Sequence, residues 1–91
     1  MAKFIKVTGA NSNPVYIPSQ NIMKIVASDS SNNCVFTYIG GGTVTGSITL
    51  ADAAAARALE ASLNVSWLAC ILAGPDATGL VENDTAFTAV A

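Results

Sequence analysis

The sequence has no histidine, and only 11% of its 91 residues are charged. Histidine is the commonest general base and the commonest metal ligand near neutral pH, so its absence argues against most acid–base and metal-dependent enzymes. Four residues are Lys or Arg, and the net charge is -2. Because a basic surface for phosphates is missing, we expect no nucleic-acid partner. We also expect no metal, no other cofactor and no catalytic residues.

A long hydrophobic run is also missing. The longest strongly apolar, uncharged run, from 61 to 75, contains Ser, Asn and Gly and is too short to span a bilayer. The first six residues interleave lysines with apolar residues and do not form a signal-peptide pattern. We therefore expect a soluble protein without a signal peptide, a transmembrane segment or a membrane partner, located in the cytoplasm or on a virus particle.

Cysteine is scarce. Cys34 and Cys70 match no close-spaced metal or redox motif. Free cysteine is commonly buried as a small hydrophobic residue, so we expect two buried thiols rather than a disulfide. A nucleophilic thiol would also need a base, and the sequence shows no arrangement that supplies one.

The hydrophobic content, 52%, is sufficient for one small core, and we expect a single domain over 1–91. Short apolar runs separated by turn residues predict five strands joined by short turns, and hence an antiparallel meander over 1–50. The predicted strands are Lys3–Thr8, Val15–Ile17, Ile22–Ala27, Cys34–Ile39 and Thr43–Leu50. Gly40–Gly42 is expected to form a tight turn, and the strand through Gly46 is expected to lack a bulge.

A helix is predicted after the strands. Thr49 and Asp52 resemble a capping arrangement, and the alanine-rich run Ala51–Leu63 favours a helix. The apolar stripe expected to cover the sheet consists of Ala55, Ala56, Leu59, Leu63, Trp67 and either Cys70 or Ile71. The segment Ser66–Ala73 is left open, as a continuation, a separate helix or a strand, within a helical segment over 51–73. The predicted fold class is α+β.

The C-terminal part, 76–91, is predicted to begin as a loop that carries Glu82 and Asp84 as solvated charges. It is expected to end in a sixth strand over Thr85–Ala91, paired either with its own sheet or with the edge of a neighbouring molecule. All three lysines precede residue 25, whereas the chain after Arg57 carries only acidic charges. This asymmetry favours an arrangement in which the two ends of the chain lie together.

The segment Val7-Thr-Gly-Ala-Asn-Ser12 looks like the start of a dehydrogenase cofactor loop. In such a loop a helix follows, but Pro14-Val-Tyr-Ile17 predicts a strand. We therefore do not expect dinucleotide binding.

The pattern Phe4-Ile-Lys-Val, Val15-Tyr-Ile-Pro and Asn21-Ile-Met-Lys-Ile25 is similar to that of small uncharacterised marine bacteriophage proteins and, more loosely, of flagellar FlbD-like proteins. In both groups a β-meander precedes a helix. The resemblance covers about the first two-thirds of the chain, and the region of Trp67 and the strand Phe87–Val90 resemble the phage group. The resemblance implies a viral or virus-associated accessory protein and transfers no functional residues.

Together these features predict a non-enzymatic, self-associating structural or assembly protein. We expect a homo-oligomer formed through a sheet edge or the C-terminal strand, with an unknown protein partner also possible. The alternative is a regulatory module that binds a small apolar ligand or peptide between helix and sheet. The candidate contact residues are Phe36, Tyr38, Leu63, Trp67, Phe87 and Val90.

Overall fold

The computed structural model describes residues 4–73 and 80–91. It confirms the α+β class, with one helix beside two sheets in the described residues. In chain order the elements are β1 (Phe4–Thr8), β2 (Pro14–Pro18), β3 (Ile22–Ser28), β4 (Asn33–Tyr38), β5 (Thr43–Ser47), α1 (Ala53–Leu72), β6 (Leu80–Ala86) and β7 (Ala89–Val90). The predicted start of the first strand at Lys3 lies outside the described residues.

The strands do not form one five-stranded meander. One sheet has the order β2-β1-β6 and the other has the order β3-β4-β5-β7. The chain passes from the first sheet to the second between Pro18, which has no amide donor to continue a ladder, and Asn21, whose φ of 64° turns the backbone. The predicted hairpin of the first two strands is confirmed, and so is the turn at Gly40 and Gly41, where φ is 101° and 96°.

Strand β3 contains an irregularity that the sequence pattern did not indicate. Its register with β4 shifts between Ile22 and Lys24. Because a bulge changes the face on which the following residues lie, Ile22, Ile25 and Ala27 are all buried despite their unequal spacing. Simple alternation would have placed Ile22 on the face opposite Ile25.

Strand β5 pairs with β4 without a shift, which confirms the unbulged strand at Gly46. The ring of Phe87 lies directly over this glycine. A Cβ atom at position 46 would lie 2.7 Å from both Cδ1 and Cε1 of that ring. The strand ends at Ser47, because the amide of Ile48 donates to the carbonyl of Asn32 (3.0 Å) and that of Leu50 donates to the Asn32 side chain (3.1 Å).

The helix α1 is continuous through the segment that the sequence left open. Its N-cap is Asp52, whose Oδ1 accepts a hydrogen bond from the amide of Ala55 at 2.8 Å, and the predicted cap at Thr49 was wrong. Its buried residues are Ala56, Leu63, Ser66 and Cys70. We call the apolar stripe that was predicted to cover the sheet the inner stripe. Of the two residues that could end it, Cys70 is buried and Ile71 is exposed.

The C-terminal segment pairs with both sheets of its own chain. Strand β6 lies parallel to β1, and β7 lies antiparallel to β5. The single strand predicted over Thr85–Ala91 is interrupted where Phe87 enters the core, and the predicted loop placement of Glu82 and Asp84 was wrong because both lie in β6. The part of the predicted loop from 76 to 79 lies outside the described residues.

The two ends of the chain do lie together, as the charge asymmetry favoured. Lys6 in β1 and Glu82 in β6 are partners in the strand register, and Lys6 Nζ lies 3.3 Å from Glu82 Oε1. Both side chains are exposed enough that this pair adds less than about 1 kcal/mol. The pairing of β1 with β6 therefore depends mainly on the backbone ladder and on the buried side chains beneath it.

Candidate functional site

The outer face of the helix carries apolar side chains where a surface helix usually carries polar ones. Val65, Leu68 and Leu72 are 67%, 52% and 73% exposed. We define the outer stripe as the exposed residues that follow one line along this face: Ala54, Ala58, Ala61, Val65, Leu68 and Leu72. The helix is therefore apolar both on the face that covers the sheets and on the face that meets solvent.

Charge is confined to the first part of the helix. Arg57 Nη1 lies 2.6 Å from Glu60 Oε2, and the sequence from 61 to 73 contains no charged residue. The helix surface around the outer stripe is therefore uncharged from Ala61 to Leu72, over a length of about 16 Å at 1.5 Å per residue. The spacing of the apolar residues predicted only the stripe that covers the sheets. The 4-3-4-3-4 spacing of the outer residues was the signal that could have revealed the second one.

Hydrogen bonds between β6 and two serines of the helix fix which face of the helix is turned outward. Asn83 of β6 donates to Ser66 Oγ at 2.8 Å and to Ser62 Oγ at 3.2 Å. The Asn83 side-chain oxygen in turn accepts from the backbone amide of Thr85 at 2.9 Å. Because Ser66 is buried, rotation of the helix about its axis would break these bonds without replacing them.

The edges of the two sheets are poorly suited to pairing with a strand of another molecule. Strand β2 is bounded by Pro14 and Pro18, neither of which has an amide donor. At the outer edge of β3, the side-chain nitrogen of Asn64 lies 3.5 Å from the carbonyl oxygen of Ile25. Strand β7 is two residues long, and β6 exposes two carboxylates. The C-terminal strands that were candidates for pairing with a neighbour are paired within the chain.

The six candidate contact residues lie in two different environments. Phe36, Leu63 and Phe87 are buried in the core, where they hold the helix and both sheets together. Tyr38, Trp67 and Val90 are partly exposed and pack against that core. The Tyr38 hydroxyl donates to the carbonyl of Pro18 and so connects the two sheets.

A shallow depression of about 410 Å³ lies beside Trp67. Its apolar wall is formed by Ile22, Ile39, Trp67 and Ile71, and its polar rim by Ser19, Gln20 and Asn21. It lies at the margin of the helix and the sheets. The space between Phe36 and Leu63, where the sequence suggested a ligand, is occupied by the core itself.

A second depression, of about 230 Å³, lies over β1 and β6 and is lined by Lys6, Val7, Thr8, Glu82, Asn83 and Asp84. Its Lys6 is paired with Glu82. Within residues 4–73 and 80–91, no group of three or more His, Cys, Asp or Glu side chains is positioned to hold a metal ion. This depression therefore offers two exposed carboxylates but no assembled metal site.

Both cysteines are free and buried, as expected. Burial, together with the nearby Glu60 carboxylate, raises the pKa of the Cys34 thiol to about 12. Burial also raises the pKa of Cys70, partly offset by a hydrogen bond with Ser19. Because the thiolate is the reactive form, neither thiol is a nucleophile near neutral pH.

We expect alkaline pH to destabilise the protein through Cys34. The ordinary pKa of a thiol is 9.0, so above pH 9 an unfolded chain loses the proton while the folded chain keeps it up to about pH 12. The free energy of unfolding should fall over that interval by up to about 1 kcal/mol per pH unit from this group. Urea unfolding at pH 8, 9.5 and 11 measures the slope. Cys34→Ala should show a shallower one, and an equal slope in both proteins would contradict the assignment.

No helix within the described ranges has the length and apolarity needed to cross a membrane. No protein-family model, no curated protein and no solved structure matches the chain.

Proposed function

We propose that the chain is a non-enzymatic structural or assembly protein that functions by associating with copies of itself. The observation that carries this proposal is the outer stripe, where three large apolar side chains are each more than half exposed. Full burial of one such side chain is worth about 1.5–3 kcal/mol relative to exposure, so covering three of them is a substantial driving force.

The chemistry of the remaining surface supports a non-enzymatic role. The chain has no histidine, and both thiols have raised pKa values. The carboxylates Glu82 and Asp84 are both exposed to solvent, whereas catalytic groups commonly lie in an enclosed cleft.

The resemblance of the first two-thirds of the chain to marine bacteriophage proteins suggests the setting. We propose an accessory protein of a phage or of its host, present in the cytoplasm or on the virus particle. Several copies would then be produced together, at the local concentrations that a modest interface requires.

Association should be visible as a concentration-dependent mass. We expect sedimentation equilibrium to give the 9.2 kDa protomer at low concentration and a multiple of that mass at tens of micromolar. Covering the outer stripe favours the oligomer by removing apolar surface from water. A strict monomer at several hundred micromolar would contradict the proposed function.

A second candidate function is the binding of a small apolar ligand or peptide, and the depression beside Trp67 favours it. A ring or aliphatic group placed there would contact the partly exposed indole. Binding should shift Trp67 emission, and Ile39→Ser should weaken the response because Ile39 lines the same wall. If a panel of aromatic and aliphatic ligands produces no shift in emission or melting temperature, this second function is excluded.

A further inference from the structure

We infer that the outer stripe packs against the outer stripe of a second copy, forming an antiparallel helix pair around a two-fold axis level with Leu63. This rests on the proposed self-association and specifies its surface, symmetry and register. Three features of the helix support it, namely the spacing of the stripe, the sizes of its side chains and the placement of its charge.

The spacing of the stripe is that of a helix that packs along another helix. Its six residues follow each other at intervals of 4, 3, 4, 3 and 4, which is the a/d pattern of a coiled coil. On a straight helix such a pattern drifts by about 20° per heptad, so over fewer than three heptads the stripe stays on one face of the helix. The same residues do not contribute to the core of their own chain, because all six are exposed.

The side chains of the stripe become larger toward the C-terminal end. Three alanines occupy its first half, and Val65, Leu68 and Leu72 occupy its second half. A two-fold axis level with Leu63 places every small residue opposite a large one of the partner. The facing pairs are Ala54 with Leu72, Ala58 with Leu68, and Ala61 with Val65. Pairs of large and small residues fill the space between two helices evenly.

A parallel pair would lack this fit. Each residue would face its own copy, so that Leu72 would meet Leu72 at one end and Ala54 would meet Ala54 at the other, and the helices would splay. A parallel pair would also bring the two copies of Arg57 to the same level, whereas the antiparallel pair separates them by about 18 Å along the axis. Antiparallel helix dipoles are also favourably oriented.

The size of the surface indicates how strong the pairing is. The stripe is about 27 Å long and one helix, about 10 Å, wide. Two such stripes together cover about 540 Å², which is the size of a small, transient interface rather than a permanent one. We therefore expect reversible dimerisation with a dissociation constant in the micromolar range.

Disulfide cross-linking tests the register. One preparation carries Ala61→Cys and another carries Val65→Cys, and the two are mixed under mild oxidation. The antiparallel pair predicts cross-linked heterodimers in the mixture and little cross-linking in either preparation alone, because only unlike positions face each other. Preferential cross-linking of each preparation with itself would overturn the antiparallel arrangement. The unmodified chain is the control, since its two thiols are buried.

A charge placed on the stripe tests the surface. We expect Leu68→Lys to weaken dimerisation at least tenfold, since two lysines would enter an apolar seam. The matched control is Tyr16→Lys on β2, because Tyr16 and Leu68 are both 52% exposed. Circular dichroism checks that both variants remain folded.

The outcomes separate the two proposals. A monomeric unmodified chain at several hundred micromolar overturns both of them. If the unmodified chain associates but Leu68→Lys associates equally well, or if the mixed cysteine variants give no heterodimer, self-association stands and the helix pair is overturned. Heterodimer cross-linking together with a monomeric Leu68→Lys supports the helix pair.

Discussion

Phe87→Ala is expected to lower the free energy of unfolding by about 3–5 kcal/mol. Phe87 is buried between β6 and β7, and its backbone amide donates to the carbonyl of Thr8 at 2.7 Å. The residue therefore connects the two sheets through both its ring and its backbone. A domain of this size has a total stability of roughly 5–14 kcal/mol, so the variant should lose a large fraction of it. Urea denaturation measures the change.

The contact between the Phe87 ring and Gly46 can also be tested by changing the glycine. A Cβ atom there would lie 2.7 Å from the Phe87 ring, so Gly46→Ala alone should cost about 1–3 kcal/mol through overpacking. In the Phe87→Ala background the added methyl group would enter the space left by the ring, so the cost should largely disappear. The double variant should then be more stable than the sum of the two single effects predicts.

Gly42→Ala is the control for a change of glycine to alanine, since a Cβ atom there meets nothing within 4 Å. It should change stability by less than about 1 kcal/mol. Additive effects of Gly46→Ala and Phe87→Ala would show that the ring and the glycine do not compete for the same space.

The parts of the fold that the sequence predicted correctly are local. Alternation located β1 to β5 within a few residues, and glycine conformation located the turn at Gly40 and Gly41. The assignment of strands to two sheets could not be predicted in this way, because it depends on a parallel pairing between β1 and β6, which are more than 70 residues apart. Strand β6 was missed because Glu82, Asn83 and Asp84 belong to types depleted in strands.

The candidate site was only partly predictable, for a related reason. Burial of Leu63 followed from the inner stripe, but a helix whose two faces are both apolar gives no sequence criterion for which one meets solvent. The structure resolves this through Asn83, which bonds to Ser62 and Ser66 and so orients the helix. The bulge near Met23 could not be predicted either. It shifts the register of β3 with β4 but leaves no mark in the composition of the strand.

The two faces of the helix should differ in how strongly the same substitution lowers the free energy of unfolding. Leu63→Ala removes a fully buried side chain and should cost about 2–5 kcal/mol in the free energy of unfolding, whatever the protein concentration. Leu68→Ala changes an exposed side chain and should cost less than about 1 kcal/mol in dilute solution. Urea unfolding of both variants at one micromolar measures these differences.

Concentration then distinguishes the core face from the association face. A dimer stabilises the folded state by mass action, so the unmodified chain and Leu63→Ala should both gain stability as the concentration rises to several hundred micromolar. Leu68→Ala should gain less, because its face no longer fills the space opposite Ala58. An equal gain in Leu68→Ala and the unmodified chain would mean that the outer stripe does not contribute to association. A cost below about 1 kcal/mol for Leu63→Ala would mean that the helix does not pack on the sheets through this residue.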